Sequence, residues 1–144
     1  MTKPLDQPVE DFVGKIQFRV RYQETDQMGV VYHGNYLTYF EMGRTELLRE
    51  ATGQSYRDVE ESKVKMVVVK AECSYIKPAH YDDLLTLETR VAKCTRASLE
   101  HEYKLYRDLE LLTTGRVRLV TVNDDGKIVP IPEWVRKLSP QGKK

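Results

Sequence analysis

From Gly14 to Tyr22 the chain alternates, with Ile16, Phe18, Val20 and Tyr22 on one side and Gln17, Arg19 and Arg21 on the other. A period of two predicts a half-buried β-strand. The period changes past Gly34: Tyr36, Phe40, Gly43, Leu47 and Ala51 recur at helical spacing while Glu46, Arg49 and Glu50 lie elsewhere. An amphipathic helix is therefore predicted over 36–51, stopped by Gly53. Arg57 to Glu61 adds a short helical turn. Met66-Val67-Val68-Val69 then opens a β-branched run that continues through Tyr75 and Ile76 and ends at Pro78. Three further strands are predicted over 84–91, 98–106 and 112–122, punctuated by Lys93 to Arg96, by Arg107-Asp108 and by Asn123-Asp124-Asp125-Gly126. One long helix among five strands in succession predicts an α+β architecture, with the helix covering one face of an antiparallel sheet.

A chain of 144 residues suits one domain, with a core over about 12–138. Folding at this length buries about 68% of the unfolded surface, enough for one core. There are no repeats, low-complexity segments or linkers, and Gln141-Gly142-Lys143-Lys144 reads as a disordered end. Lysine plus arginine number 23 and aspartate plus glutamate 22, so a net charge of +1 leaves no electrostatic footprint for nucleic acid. Any charged ligand must be met locally. Cys73 and Cys94 lack metal-ligand spacing, and no apolar run opens the chain. These features predict a reduced, cytoplasmic protein with no signal peptide, membrane span, metal or cofactor.

The chemistry concentrates in Tyr22-Gln23-Glu24-Thr25-Asp26-Gln27-Met28-Gly29-Val30-Val31-Tyr32-His33-Gly34-Asn35-Tyr36. A strand ends near Tyr22, a loop carries Asp26, and a helix begins near Gly34-Asn35. Unpaired amides at a helix start attract developing negative charge. A carboxylate beside such amides suits attack on a carbonyl, one group supplying or activating the nucleophile and the other holding the tetrahedral oxygen. Each part has a plainer role when taken alone. Asp26 is a good Asx-turn residue, His33 a common structural imidazole, and Gly29 and Gly34 permit positive φ.

Together these residues resemble the hot-dog-fold thioesterases, specifically the 4-hydroxybenzoyl-CoA thioesterase group and its YbgC-type acyl-CoA thioesterase branch. The resemblance rests on Tyr22, Thr25-Asp26, Gly29-Val30-Val31-Tyr32-His33, Asn35-Tyr36, Glu41 and Arg44, followed by Tyr75-x-x-Pro78-Ala79-x-Tyr81-Asp82-Asp83. It implies a sheet wrapped around the helix and hydrolysis of an acyl-CoA to free acid and CoA. It also implies subunits paired through their sheets, as dimers or tetramers, with the active site at the subunit interface.

On this resemblance Asp26 is the catalytic carboxylate, acting either as nucleophile or as general base for water. The backbone amide of His33 polarises the thioester carbonyl, and the His33 side chain orients or protonates reactants. Tyr32 and Gly34 flank that amide at the substrate. Glu41 falls at a substrate-pocket position or else pairs with Arg44, and Arg44 either contacts substrate or forms an ion pair. Met66 and Val68, with Tyr36 and Phe40, line an apolar acyl pocket or are ordinary core. Arg96 and Ser98, in the hairpin over 93–98, are placed to bind CoA phosphate, with Arg116 and Arg118 as weaker candidates. That hairpin is less basic than its counterpart in the 4-hydroxybenzoyl-CoA enzyme, which leaves an acyl-carrier-protein thioester as an alternative substrate. Two other classes share the fold: a non-catalytic acyl-CoA-binding module, which has no need of Asp26 in a polarised loop, and a dehydratase or hydratase, whose motif is absent.

Overall fold

A computed structural model describes residues 13–136. The predicted core limits at 12 and 138 and the predicted disordered end at 141–144 lie outside the described residues. The elements in chain order are β1 (Gly14–Arg19), a 3-10 turn (Tyr22–Glu24), α1 (Asn35–Thr52), α2 (Tyr56–Glu61), β2 (Val64–Tyr75), β3 (Leu84–Cys94), β4 (Leu99–Arg107), β5 (Glu110–Asn123), β6 (Ile128–Val129) and α3 (Glu133–Arg136). The strands form one antiparallel sheet in the order β1-β3-β4-β5-β2, with β6 paired to β5. This is the hot-dog arrangement: the sheet wraps α1.

The alternation of β1 holds through Val20, which is buried, but the strand itself stops at Arg19. Tyr22, expected on the buried face, is 77% exposed. The cause is Glu24, whose carboxylate accepts the Arg21 amide at 2.8 Å and the Arg21 guanidinium at 2.8 Å, closing the chain into a turn. Helix α1 buries Tyr36, Tyr39, Phe40, Gly43, Arg44, Leu47 and Leu48, and Gly53 ends it in the left-handed conformation. Ala51, read as part of the buried stripe, is exposed. It lies a turn beyond Leu47, which already covers Gly14 at the start of β1. The predicted turn near Arg57 is α2, entered through a capping box in which Asp58 accepts the Ser55 amide at 2.8 Å.

The helix sits close on the sheet because Gly115 of β5 has no side chain. A Cβ there would come within 2.2 Å of the Phe40 ring. Phe40 is fully buried and stacks on Tyr103 with centroids 4.3 Å apart, so neither ring has room to move away. Gly115→Ala is expected to destabilise the fold by about 1–3 kcal/mol through overpacking, read as a lowered urea midpoint with an unchanged slope.

Strand β2 forms one edge of the sheet and is exposed along most of its length, including Val67, Val68 and Val69. A register shift between Val68 and Lys70 keeps Met66, Val68, Ala71 and Cys73 on the face shared with α1. Sequence periodicity missed β6 and α3, two and four residues long, because elements of that length carry no readable period.

Candidate active site

The loop between β1 and α1 is a tight hairpin closed by a bridge between Thr25 and Val31. The Asp26 amide donates to the Val30 carbonyl at 2.9 Å, the Gly29 amide to the Asp26 carbonyl at 2.9 Å, and the Met28 amide to Asp26 Oδ1 at 2.8 Å. Asp26 is therefore an Asx-turn residue, as its type alone suggests. One carboxylate oxygen is used locally; among the described residues Oδ2 has no partner. Gly29 takes φ of 81°, which closes the turn at little steric cost. Gly34, also read as a positive-φ position, has φ of −69°. Glycine stands there for a different reason: a Cβ would lie 2.8 Å from the Tyr32 ring.

The same hairpin ends at the start of α1. The Asn35 amide donates to the Tyr32 carbonyl at 2.9 Å, while among the described residues the His33 and Gly34 amides donate to nothing. Those two amides form the anion-attracting end of the helix. His33 and Tyr32 are exposed, their rings 4.4 Å apart. The Tyr75 hydroxyl donates to the His33 carbonyl at 3.0 Å, tying the helix start to the end of β2.

The downstream motif is the other wall of this loop. Val31 donates to the Ala79 carbonyl at 2.9 Å, Val30 bridges to His80, and the Asp82 amide donates to the Val20 carbonyl at 2.9 Å. Arg107 fixes that wall by donating to Asp83 Oδ2 at 2.8 Å and to the Pro78 carbonyl at 3.2 Å. The two halves of the sequence motif thus meet in space.

Farther along α1, Glu41, Arg44, Met66 and Val68 come together. Leu37, Thr38, Glu41, Arg44, Val68, Ala71 and Val117 line a cavity of about 170 Å³. Glu41 and Arg44 also border a second cavity of about 240 Å³ with Thr45, Tyr56, Glu60, Met66 and Leu119. Among the described residues Glu41 and Arg44 form no ion pair; the i,i+3 pair on α1 is Glu46 with Arg49. Tyr36 and Phe40 are core.

Arg96 and Ser98 lie elsewhere. The loop carrying Asp26 packs at the Leu84 end of β3, whereas Arg96 follows Cys94 at its other end, about 30 Å away along an extended strand. The Ser98 hydroxyl lies 3.3 Å from Thr95 Oγ1 within the turn. Arg116 and Arg118 are also removed from the site: on the sheet face opposite α1 both bond Glu100, at 2.8 and 3.0 Å.

The profile of the thioesterase-like superfamily matches residues 20–138. The chain belongs to that family. Acyl-CoA thioesterase YbgC of Haemophilus influenzae is 38% identical over 113 residues, 78% of this chain and 82% of the relative. Acyl-CoA thioester hydrolase YbgC of Escherichia coli is 33% identical over 112 residues, 78% of this chain and 83% of that protein. Among solved structures, a DHNA-CoA thioesterase from Staphylococcus aureus superposes with a TM-score of 0.82 at 31% identity, covering 87% of each chain.

In this thioesterase-like chain, the positioning role of three residues around the loop escaped sequence reasoning. Glu24 is buried, and its Oε1 accepts the Tyr39 hydroxyl at 2.9 Å from the second turn of α1. Burial is the largest influence on the Glu24 carboxyl and pushes its pKa up, but the Arg21 amide, the Arg21 guanidinium and Tyr39 together hold it below the ordinary value. Asn35 Nδ2 donates to the Glu24 carbonyl at 2.8 Å. Glu24, Tyr39 and Asn35 therefore pin the Asp26 hairpin to the helix from three directions. Glu24 and Asn35 are polar residues inside the motif, yet nothing in the sequence says which side of the turn they face.

Proposed function

We propose that Asp26 is the catalytic carboxylate of an acyl-CoA thioesterase and that the His33 and Gly34 amides hold the carbonyl oxygen. The observation that carries this reading is the pairing of an uncommitted Asp26 oxygen with two unpaired amides on one hairpin, braced by Glu24, Asn35 and Tyr75. Asp26 attacks the thioester carbonyl or takes a proton from an attacking water. Either way negative charge builds on the carbonyl oxygen, where oriented amides stabilise it more in the transition state than in the ground state. The thiolate of CoA then leaves; on the general-base route this gives the free acid at once, and on the nucleophilic route it leaves an acyl–Asp26 anhydride that a water molecule then cleaves to the free acid and the Asp26 carboxylate. The exposed His33 ring, at the same helix start, orients or protonates the reactants. Thiol release from a panel of aromatic and short aliphatic acyl-CoA esters tests the reaction. Saturable binding without turnover would instead mark an acyl-CoA-binding module.

The chain is read as one domain that works as a homodimer or a tetramer. The exposed outer edge of β2, with Val67, Val68 and Val69, offers unpaired backbone groups for a second copy. The distance between Asp26 and Arg96 within one subunit points the same way, since a CoA held by Arg96 reaches an Asp26 site only across an interface. Sedimentation is expected to give a dimer or a tetramer; a monomer at working concentrations would overturn this. Arg96→Ala is expected to raise KM for acyl-CoA with kcat nearly intact, because a phosphate clamp binds ground and transition states alike. A fall in kcat at unchanged KM would remove Arg96 from that role and favour an acyl-carrier-protein thioester, whose arm lacks the nucleotide.

No helix among the described residues is long and apolar enough to cross a membrane. A cytoplasmic location is proposed from the cysteine spacing in the sequence.

A further inference from the structure

The two free amides of the site are not held alike. Each belongs to a planar peptide whose carbonyl, on the opposite edge of the plane, can itself accept a hydrogen bond. The His33 amide shares its peptide with the Tyr32 carbonyl, which accepts the Asn35 amide at 2.9 Å. That contact lies within the turn. The Gly34 amide shares its peptide with the His33 carbonyl, and there the short contact comes from another element: the Tyr75 hydroxyl, 42 residues on, donates to it at 3.0 Å. Among the described residues the other donor to that carbonyl is the Tyr36 amide at 3.5 Å, beyond the usual range. Tyr75 is thus the main hold on the His33–Gly34 peptide.

Tyr75 is itself fixed in backbone and ring. Its backbone pairs with Thr113 of β5, and the next two amides, of Ile76 and Lys77, donate to the Leu112 carbonyl at 2.9 and 3.0 Å. Its ring meets Tyr36 edge-on with centroids 5.1 Å apart and His33 edge-on at 6.5 Å. Tyr36 is buried, so the Tyr75 ring rests against the core while about half of the residue stays exposed. Its hydroxyl bond lies at the surface and His33 is exposed, so water can replace the hydroxyl as far as folding is concerned. Partial burial first, and then the neighbouring Cys73 and Tyr36, push the Tyr75 pKa up to about 12, which keeps the phenol protonated and able to donate.

We propose that Tyr75 is a positioning residue for thioester hydrolysis, acting on the transition state through the His33–Gly34 peptide. Donation to the His33 carbonyl holds the peptide plane, and so aims the Gly34 N–H. It also polarises the peptide, because hydrogen bonds in a chain strengthen one another by about 10–30% per bond. Both effects count most when negative charge collects on the substrate oxygen. This role rests on the thioesterase reading and goes beyond it: the anion site divides into one amide set by its own turn and one set by the end of β2.

Tyr75→Phe keeps the ring and removes only the hydroxyl. With benzoyl-CoA and hexanoyl-CoA as probes, it is expected to lower kcat by about 5- to 30-fold, less than the roughly 10²–10³-fold of losing an oxyanion donor outright. KM is expected to change by less than about twofold, and the melting temperature to stay near wild type. An infrared measurement separates this from a general loosening. Benzoyl-CoA labelled with carbon-13 at the thioester carbonyl and bound to Asp26→Asn is expected to show its C=O stretch below that of the free ester. Tyr75→Phe in that background is expected to give back part of the shift. A stretch that does not move with Tyr75→Phe overturns the role, whatever kcat does, and leaves the hydrolase standing. A variant that loses kcat while sedimenting as a smaller oligomer, or melting well below wild type, makes Tyr75 a brace of the fold, and the role falls as well. If the wild type hydrolyses neither ester, the Asp26 reading fails, while a Tyr75-dependent shift in the bound ester still upholds the polarised peptide. If neither ester binds, both readings fall.

Discussion

Asp26→Asn is expected to lower kcat for thioester hydrolysis by about 10²–10⁴-fold, with KM changed far less and the melting temperature close to wild type. The stability half follows from the hairpin. Asp26 Oδ1 accepts the Met28 amide at 2.8 Å, a bond that an Asn carbonyl oxygen makes equally well. Asn is also about as good as Asp at turns and caps, so the loop, and with it the His33 and Gly34 amides, stays in place. The activity half follows from the other oxygen. Replaced by an NH2, it can neither attack a carbonyl nor take a proton. His33→Ala is expected to cost less than Asp26→Asn, because the oxyanion donor at that position is the backbone amide, which survives the change. Steady-state kinetics on both variants, with thermal melts as the folding control, check the pair. Near-wild-type turnover by Asp26→Asn would reduce Asp26 to the turn residue its local bonds describe.

Acidification is expected to destabilise the protein well above the carboxylate range, by about 2 kcal/mol between pH 8 and pH 5 at fixed protein concentration. The cause is His101. It is fully buried on β4, and burial, with the Arg44 charge as a second influence, pushes its pKa down to about 3. In the unfolded chain the same imidazole titrates near its ordinary value of 6.5. Below about pH 6.5 the unfolded state therefore takes up a proton that the folded state refuses, and stability falls as pH falls. The loss begins at the unfolded pKa and continues toward the folded one, so the stretch from pH 6.5 to 5 belongs to histidine. Glu24, whose folded pKa is depressed, adds its own loss only at lower pH, since its stabilisation is present above the unfolded carboxylate pKa. Urea midpoints across this range give the slope in the wild type, and His101→Gln, which cannot titrate, is expected to flatten it. An equal slope in that variant would show that His101 is not the source.

Much of the site was legible from local order, because a hairpin and a helix start are both built from neighbours in the chain. Asp26, Gly29, His33 and Gly34 lie within nine residues, and the helix begins one residue from its predicted start. The apolar stripe of α1 likewise put Tyr36, Phe40, Gly43 and Leu47 on the buried side, as observed. What could not be read was whatever depended on partners far along the chain. Tyr22 alternates correctly with Val20, yet Glu24 turns the strand before Tyr22 can reach the core. Arg96 and Ser98 suit phosphate by residue type, and only the length of β3 sets them at the opposite end of the sheet from Asp26 within one subunit. Arg116 and Arg118 alternate onto the outer sheet face, where Glu100 holds both.

Residue order by itself determined the number and kind of the main elements, the fold family and the loop that carries Asp26, since these follow from periodicity, turn chemistry and closely spaced groups. Tertiary structure alone decided that Pro78 to Asp83 walls that loop, that Glu24 and Tyr39 brace it, and that Glu41 and Arg44 border two cavities, one with Val68 and the other with Met66. Those contacts join residues up to dozens of positions apart, and only the packing of α1 against the sheet fixes which side chains meet and which polar groups are buried without a partner.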